Sequence, residues 1–264
     1  MIVGLLAGFL SGLFGVGGGI LIVPGLVMLT GMGQRLAHGT SLAAIVPISA
    51  AGVSGYVLDG SVDFPAAVAL AAGAMVGAVI GTRALHVLPQ HTLRLAFALL
   101  LLATAGRMLL GTGEANGRQD LTVLLVLALL GVGLAAGMLS GLLGVGGGVV
   151  MVPAMILLFG IPDAVAKGTS LLVIVPTSIV GTSRNISRGN AELALAAVVG
   201  LGGVISAFGG ARLSLGLSDD VSSALFGGLL VVVSVRMLLL DRRERRRSTS
   251  HAQGDATGDH GPDR

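Results

Sequence analysis

The sequence predicts an all-α integral membrane protein with about eight apolar helical segments, arranged as two pseudo-symmetric repeats of four. Of the 264 residues, 53% are hydrophobic and 11% are charged, whereas an ordinary soluble domain has about 25% charged residues. Apolar stretches of about twenty residues recur along the chain, each long enough to cross a hydrocarbon core of about 30 Å as a helix. A glycine-rich motif also occurs twice, at 11–19 and at 140–148.

The two motif copies belong to a longer internal duplication. An offset of 129 residues relates Ser11 to Ser140, and the same offset holds without a gap to the ends of both halves. Paired halves around a central site are typical of secondary transporters. Further pairs at this offset are Pro24 with Pro153, Pro47 with Pro176, Arg83 with Arg212 and Phe97 with Phe226.

Each half is expected to contain four apolar segments joined by short polar turns. The first repeat (1–111) and the second (121–240) are separated by a linker (112–120), and a disordered basic tail (241–264) follows. The predicted segments of the first repeat are 2–31, 39–57, 65–87 and 92–110, and those of the second are 121–160, 168–186, 192–214 and 219–240.

The first segment of each repeat carries a helix-breaking run, GVGGG, at 15–19 and at 144–148. Each glycine costs roughly 1 kcal/mol in a helix relative to alanine, so four glycines within five positions indicate a deliberate interruption. A membrane tolerates such an interruption only where it faces protein or a water-filled cavity. The flanking stretches of about a dozen residues span roughly 18–20 Å as helix, which predicts a break near the bilayer midplane.

A half-helix that begins after such a break has unpaired N–H groups and a positive dipole end. Two of these ends directed at one cavity would form an anion site without a buried Lys or Arg. The alternative is that the glycines only allow tight helix packing. The candidate substrate-binding residues are Gly15, Gly17, Gly18, Gly19, Ser41, Gly144, Gly146, Gly147, Gly148 and Ser170.

The two serines in this set belong to a second duplicated motif, HGTS at 38–41 and KGTS at 167–170. We expect Thr40 and Thr169 to cap a helix start, and the alternative role of the motif is ligand contact by Ser41 and Ser170. His38 and Lys167 would either attract anions at a cavity mouth or extend to the interface.

The membrane topology stays open at this point. If each broken segment crosses the bilayer, the halves are parallel; if it dips in and returns, each half has three full spans and the halves are inverted.

The remaining composition excludes several classes of function. Without cysteine there are no disulfides or thiolate metal sites, and we predict no catalytic residues, no cofactor and no metal. The arginines at 242–247 indicate a cytoplasmic anchor on anionic lipid rather than a nucleic-acid site. We expect a multi-pass protein of the plasma membrane that transports a small anion, and the sequence leaves its oligomeric state open.

The sequences SGLFGVGGGILIVP and SGLLGVGGGVVMVP, the paired GTS motifs and the turn at 60–63 resemble the TauE/SafE family of bacterial sulfite and organosulfonate exporters. The resemblance covers residues 1 to about 240. It implies a polytopic permease that moves sulfur-containing or carboxylate anions across the plasma membrane, mostly outward. Alternating access between two halves would then export sulfite, sulfoacetate or a related sulfonate. The rival hypotheses are an intramembrane serine hydrolase and a membrane subunit without transport of its own.

Overall fold

The structure is a computed structural model that describes residues 1–84, 99, 101–106, 110, 122–143, 146–218 and 220–235. Regular structure in these ranges is entirely helical, so the predicted all-α membrane fold is confirmed. The predicted linker, the tail and most of segment 92–110 lie outside the described residues. The helices are α1 (Ile2–Phe14), α2 (Gly19–Thr30), α3 (Gln34–Leu58), α4 (Phe64–Ala84), α5 (Val123–Leu143), α6 (Gly148–Phe159), α7 (Asp163–Ile186), α8 (Leu193–Gly216) and α9 (Asp220–Val235).

Within the described ranges, four helices are long and apolar enough to cross a membrane, namely α3, α5, α7 and α8. Of these, α3 and α7 are the most buried and α5 is the least. Large apolar side chains such as Leu124, Leu201 and Ile205 are exposed on α5 and α8. In a membrane protein such a surface faces lipid, so α3 and α7 form the centre and the other helices surround them.

The two central helices run antiparallel. Leu42, near the start of α3, lies against Gly181 near the end of α7, and Leu171 lies against Gly52 at the opposite end of this contact. Since these helices occupy equivalent positions in the two halves, their opposite directions make the halves inverted. We use the name Glu192 face for the side where α3 and α8 begin, and Asp63 face for the side where α4 and α7 begin.

The broken first segments are re-entrant hairpins. A Cβ atom at Gly18 would lie 2.7 Å from the carbonyl oxygen of Ala7, and one at Gly25 would lie 2.9 Å from Cγ1 of Val3. Helix α2 therefore runs back along α1 and ends beside the start of α3. With 13 and 12 residues, these helices are about 20 and 18 Å long, too short to cross about 30 Å of hydrocarbon.

Glycines bring the first helix of each half against the fourth helix of the other half. In α1, Gly4, Gly8 and Gly12 face carbonyl oxygens of α8. In α5, Gly133 and Gly137 face carbonyl oxygens of α4. This small-residue packing is the usual way for membrane helices to approach closely, and here it joins the two halves. It also sets α1 parallel to α8 and α5 parallel to α4, so α1 enters from the Glu192 face and α5 from the Asp63 face.

Substitution of Gly137 tests this packing, with Gly131 of the same helix as the matched control. A Cβ atom at Gly137 would collide with the carbonyl oxygen of Ala74, whereas Gly131 has no neighbour within 4 Å. We expect G137A to cost about 1–3 kcal/mol and to lower the melting temperature of the purified protein. G131A should leave the melting temperature unchanged or raise it, because alanine favours the helix. Equal melting temperatures for the two variants would contradict the packing.

Candidate functional site

The two glycine breaks have a backbone that only glycine adopts readily. In the first break, φ is +71° at Gly15, +81° at Gly17 and +76° at Gly18. In the second, φ is +89° at Gly146 and +74° at Gly147. A side chain is strained in this left-handed region, so the repeated glycines permit the sharp reversal from one half-helix to the next.

The tips of the two hairpins meet in the middle of the molecule. A Cβ atom at Gly148 would lie 2.6 Å from the carbonyl oxygen of Gly15, so the breaks touch. Cβ atoms at Gly17 and Gly146 would each lie within 3.7 Å of both Ile45 and Ile174. These isoleucines lie near the midpoints of α3 and α7. The predicted depth of the breaks therefore agrees with their place beside the centres of the two long helices.

The half-helices that leave the breaks present open N-terminal ends. The first backbone bonds of α2 run from the N–H groups of Leu21 and Ile22 to the carbonyl of Gly18. The first bonds of α6 likewise run from Val150 and Met151 to the carbonyl of Gly147. The first two N–H groups of each helix, at Gly19 and Ile20 in α2 and at Gly148 and Val149 in α6, come before these bonds. They lie at the positive end of the helix dipole. The centre thus has two electropositive helix ends, one from each half.

Buried serine hydroxyls lie on α3 and α7 near the breaks. Ser49, Ser170 and Ser178 each have a buried oxygen without a hydrogen-bond partner in the described part of the chain. Ser170 Oγ is 2.9 Å from the position that a Cβ atom of Gly148 would occupy, directly beside the start of α6. Buried polar atoms are normally satisfied, so unsatisfied hydroxyls on the two central helices, one of them at the start of α6, indicate space for a hydrogen-bonding ligand.

Ser49 and Ser178 lie on the faces of α3 and α7 that meet each other. Leu42, Gly52 and Tyr56 of α3 contact α7, and Ile45 and Ser49 fall between them at helical spacing. The offset of 129 places Ile174 and Ser178 at the equivalent points of α7. The hydroxyls therefore follow the seam between the two central helices.

The predicted site residues divide into three groups. Gly15, Gly17, Gly146, Gly148 and Ser170 come together at the centre. Gly18 and Gly147 cap α2 and α6 and pack against carbonyl oxygens of their own hairpins. Gly19 begins α2, and Ser41 is fully buried at the position of α3 that corresponds to Ser170. Gly144 lies outside the described residues.

The threonines of the HGTS and KGTS motifs have a different role from the one expected. α3 and α7 begin at Gln34 and Asp163, ahead of both motifs, so neither threonine caps its own helix. Instead, Thr40 Oγ1 accepts the N–H of Glu192 at 3.0 Å, and Thr169 Oγ1 accepts the N–H of Asp63 at 2.9 Å. Each threonine thus satisfies the backbone at the start of the fourth helix of the other half.

The neighbouring glycines allow this contact. A Cβ atom at Gly39 would collide with the carbonyl oxygen of Asn190, and one at Gly168 with that of Ser61. The turn before α8 therefore lies directly on α3, and the turn before α4 lies directly on α7. In both cases the contact joins opposite halves, so the motif GT is a docking element between them.

The expectation that Lys167 lies at a cavity mouth or interface is wrong. Its side chain is 1% exposed, and its Nζ lies 2.6 Å from Asp163 Oδ2. It also donates to Ser222 Oγ at 2.7 Å, and Ser222 in turn donates to Asp163 Oδ2 at 2.9 Å. The stacked rings of Phe14 and Phe226 lie beside the ammonium group. A buried charge needs such partners, because desolvation without them is prohibitive.

The sequence reasoning missed two features of this region. Ser49 and Ser178 are not among the predicted site residues, although spacing from Ser41 and Ser170 by two helical turns places them on the same side. Asp163 and Lys167 have the i, i+4 spacing of a helical ion pair. The predicted segment 168–186 begins after both residues, which concealed the pair.

Residues 1–108 and 129–260 match the family model described as "Sulfite exporter TauE/SafE". The chain belongs to this family. A probable membrane transporter protein of Bacillus subtilis is 30% identical over 225 residues, covering 76% of this chain and 82% of that protein. A probable membrane transporter protein of Xylella fastidiosa is 29% identical over 238 residues, covering 88% and 91%.

An archaeal relative, a probable membrane transporter protein of Methanocaldococcus jannaschii, is 25% identical over 256 residues. No solved structure gives a significant match. The chain is a multi-pass membrane transporter of the plasma membrane.

The docking bonds of the two threonines give a test of the inverted contact. In T40V and T169V the accepting oxygen is lost, and the N–H of Glu192 or Asp63 is left without its partner. We expect each variant to lose about 1–3 kcal/mol of stability, by similar amounts. The measurement is thermal unfolding of the purified protein.

T177V is the control, because the Thr177 hydroxyl bonds only to the Val173 carbonyl of its own helix at 2.8 Å. T177V should therefore unfold close to the wild-type temperature. If T40V and T169V unfold at the same temperature as T177V, the threonines do not hold the halves together.

Proposed function

We propose that this protein is an anion permease that exports a small oxyanion through the centre formed by the two hairpin tips. The observation that best supports this function is the convergence of two open helix ends on buried hydroxyls without partners. In this proposal the substrate binds to the N-terminal ends of α2 and α6, with Ser41 and Ser170 as side-chain donors. The other residues that we assign to substrate binding are Gly15, Gly17, Gly18, Gly19, Gly144, Gly146, Gly147 and Gly148, together with Ser49 and Ser178.

The charge preference follows from the groups at the centre. Helix N-termini carry about +0.5 of an elementary charge each and present N–H donors. Serine hydroxyls can donate as well, so an anion with several acceptor oxygens gains bonds from both halves at once. A cation would meet the wrong end of both dipoles. Sulfite, sulfoacetate and related sulfonates have the required charge and oxygens, and the description of the family as sulfite exporters supports this class.

Inverted symmetry supports a mechanism of alternating access. If the two halves can exchange their conformations, the state open to one face becomes the state open to the other around a fixed centre. In this proposal the central seam of α3 and α7 stays in place. The hairpins and the outer helices then move relative to it.

The described charges favour an orientation with the Glu192 face in the cytoplasm. Arg35, Arg184 and Arg188 lie at that face, whereas Arg212 and the ion-paired Lys167 lie near the Asp63 face. The positive-inside rule assigns the more basic face to the cytoplasm. The basic tail after α9 would bind anionic lipid there. An anion then leaves the cell down a negative-inside potential, which supplies about 2.3 kcal/mol per charge at 100 mV.

We propose no enzymatic activity for this chain. The serine hydrolase hypothesis needs a serine activated by a general base. The Ser54 hydroxyl instead donates to the Ala51 carbonyl of its own helix at 2.7 Å. Membership of a transporter family favours transport over hydrolysis.

Flux through proteoliposomes tests the proposed function, with Ser170 as the decisive residue. Labelled sulfite, sulfoacetate and small carboxylates would be measured under an imposed membrane potential. A hydrogen bond to a charged group is worth about 1.5–3 kcal/mol, so S170A should raise KM for the transported anion by about tenfold or more. S183A is the matched control in α7, because the Ser183 hydroxyl bonds only to its own helix at Ile179.

S183A should transport like the wild type. The proposal fails if no anion in the set moves, or if S170A and S183A have the same KM.

A further inference from the structure

The ion pair of Lys167 and Asp163 has no counterpart in the first half. At the equivalent sequence positions the first half has His38 for Lys167, Gln34 for Asp163 and Leu93 for Ser222. Helix α3 forms with Gln34 and His38 in these places. The repeated fold therefore does not require the ion pair, and its presence on the Asp63 face alone points to a function of that face.

The cluster is continuous with the proposed substrate site. A Cβ atom at Gly15 would lie 2.6 Å from Cα of Lys167, and the Gly15 carbonyl touches Gly148 on its other side. Ser170 follows Lys167 by one helical turn on α7. An anion that leaves Ser170 toward the Asp63 face would therefore meet the Lys167 ammonium next.

The Asp163 carboxylate occupies the position that such an anion would take. Its Oδ2 receives Lys167 Nζ and Ser222 Oγ, while its Oδ1 is buried without a partner in the described ranges. Asp163 is the first residue of α7 and is 14% exposed, so it is close to water at the Asp63 face. Its carboxylate could leave the cluster and be hydrated, whereas Lys167 is held inside.

We propose that Lys167 forms a second oxyanion subsite on the exit side, which the carboxylate of Asp163 fills when no substrate is present. The ligand is a small carboxylate, sulfonate or sulfite, held by the Lys167 ammonium and the Ser222 hydroxyl. A departing anion displaces Asp163 and takes over its two hydrogen bonds. This subsite rests on the proposed function, because it gives the anion its next position after the centre.

Chemical rescue of an Asp163 variant tests this subsite without relying on transport. In D163A the carboxylate is removed, and Lys167 becomes available to acetate, sulfite or a small sulfonate. We expect the melting temperature of purified full-length D163A to rise by about 3 °C or more with the anion at about ten times its Kd. D163A/K167M should show no such rise. Q34A changes the equivalent position of the first half, and the anion should shift its melting temperature no more than it shifts that of the wild type.

The subsite is overturned if none of these oxyanions stabilises D163A more than D163A/K167M. If D163A does not fold, D163N replaces it, because asparagine keeps the side-chain volume. The rise in melting temperature is then compared between D163N and D163N/K167M. Flux measurements separate the two proposals. Rescue without flux in the wild type supports the subsite and contradicts the permease, whereas flux without rescue contradicts the subsite alone.

Discussion

The architecture depends on the antiparallel pairing of α3 and α7. A backbone break inside a membrane must be enclosed by protein or water, since lipid offers no hydrogen-bond partner. The pairing of these two helices provides that enclosure, because Ile45 and Ile174 at their midpoints lie against both breaks. Once the helices run in opposite directions, the two hairpins must enter from opposite faces and meet between them.

The two halves stabilise each other rather than folding as separate bundles. The first helix of each half packs on the fourth helix of the other, and each GT motif supports the turn before that helix. Glycine has a double role in this arrangement. It permits the left-handed backbone of the breaks, and it lets helices approach until Cβ atoms would collide with carbonyl oxygens. The glycines of α1 and α5 serve helix packing, whereas the glycines with positive φ shape the breaks.

The sequence predicted a membrane protein, its helical fold and the positions of the breaks, because hydropathy and glycine runs are local properties. It could not decide between crossing and re-entrant segments. That choice depends on the direction of α2 relative to α1, which is set by contacts such as Gly25 with Val3. The distribution of arginines alone was too even to decide it.

The centre of the site was predicted more completely than its borders. The duplication marks Gly15, Gly17 and Ser170 in the sequence, and the structure brings these three residues together at the centre. Lys167 was misjudged for the opposite reason: its partners Asp163 and Ser222 occur in one half only. Long-range contacts that break the symmetry leave no trace in a comparison of the two halves.

Sided labelling of one symmetry-related pair tests the inverted architecture most directly. The chain has no native cysteine. Asp59 and Arg188 are exposed at equivalent turns, after α3 and α7. D59C and R188C, each reacted in intact cells with a membrane-impermeant thiol reagent, should differ: D59C is labelled from outside, and R188C only after the membrane is opened. Labelling of both residues from the same side would mean parallel halves and would contradict the account.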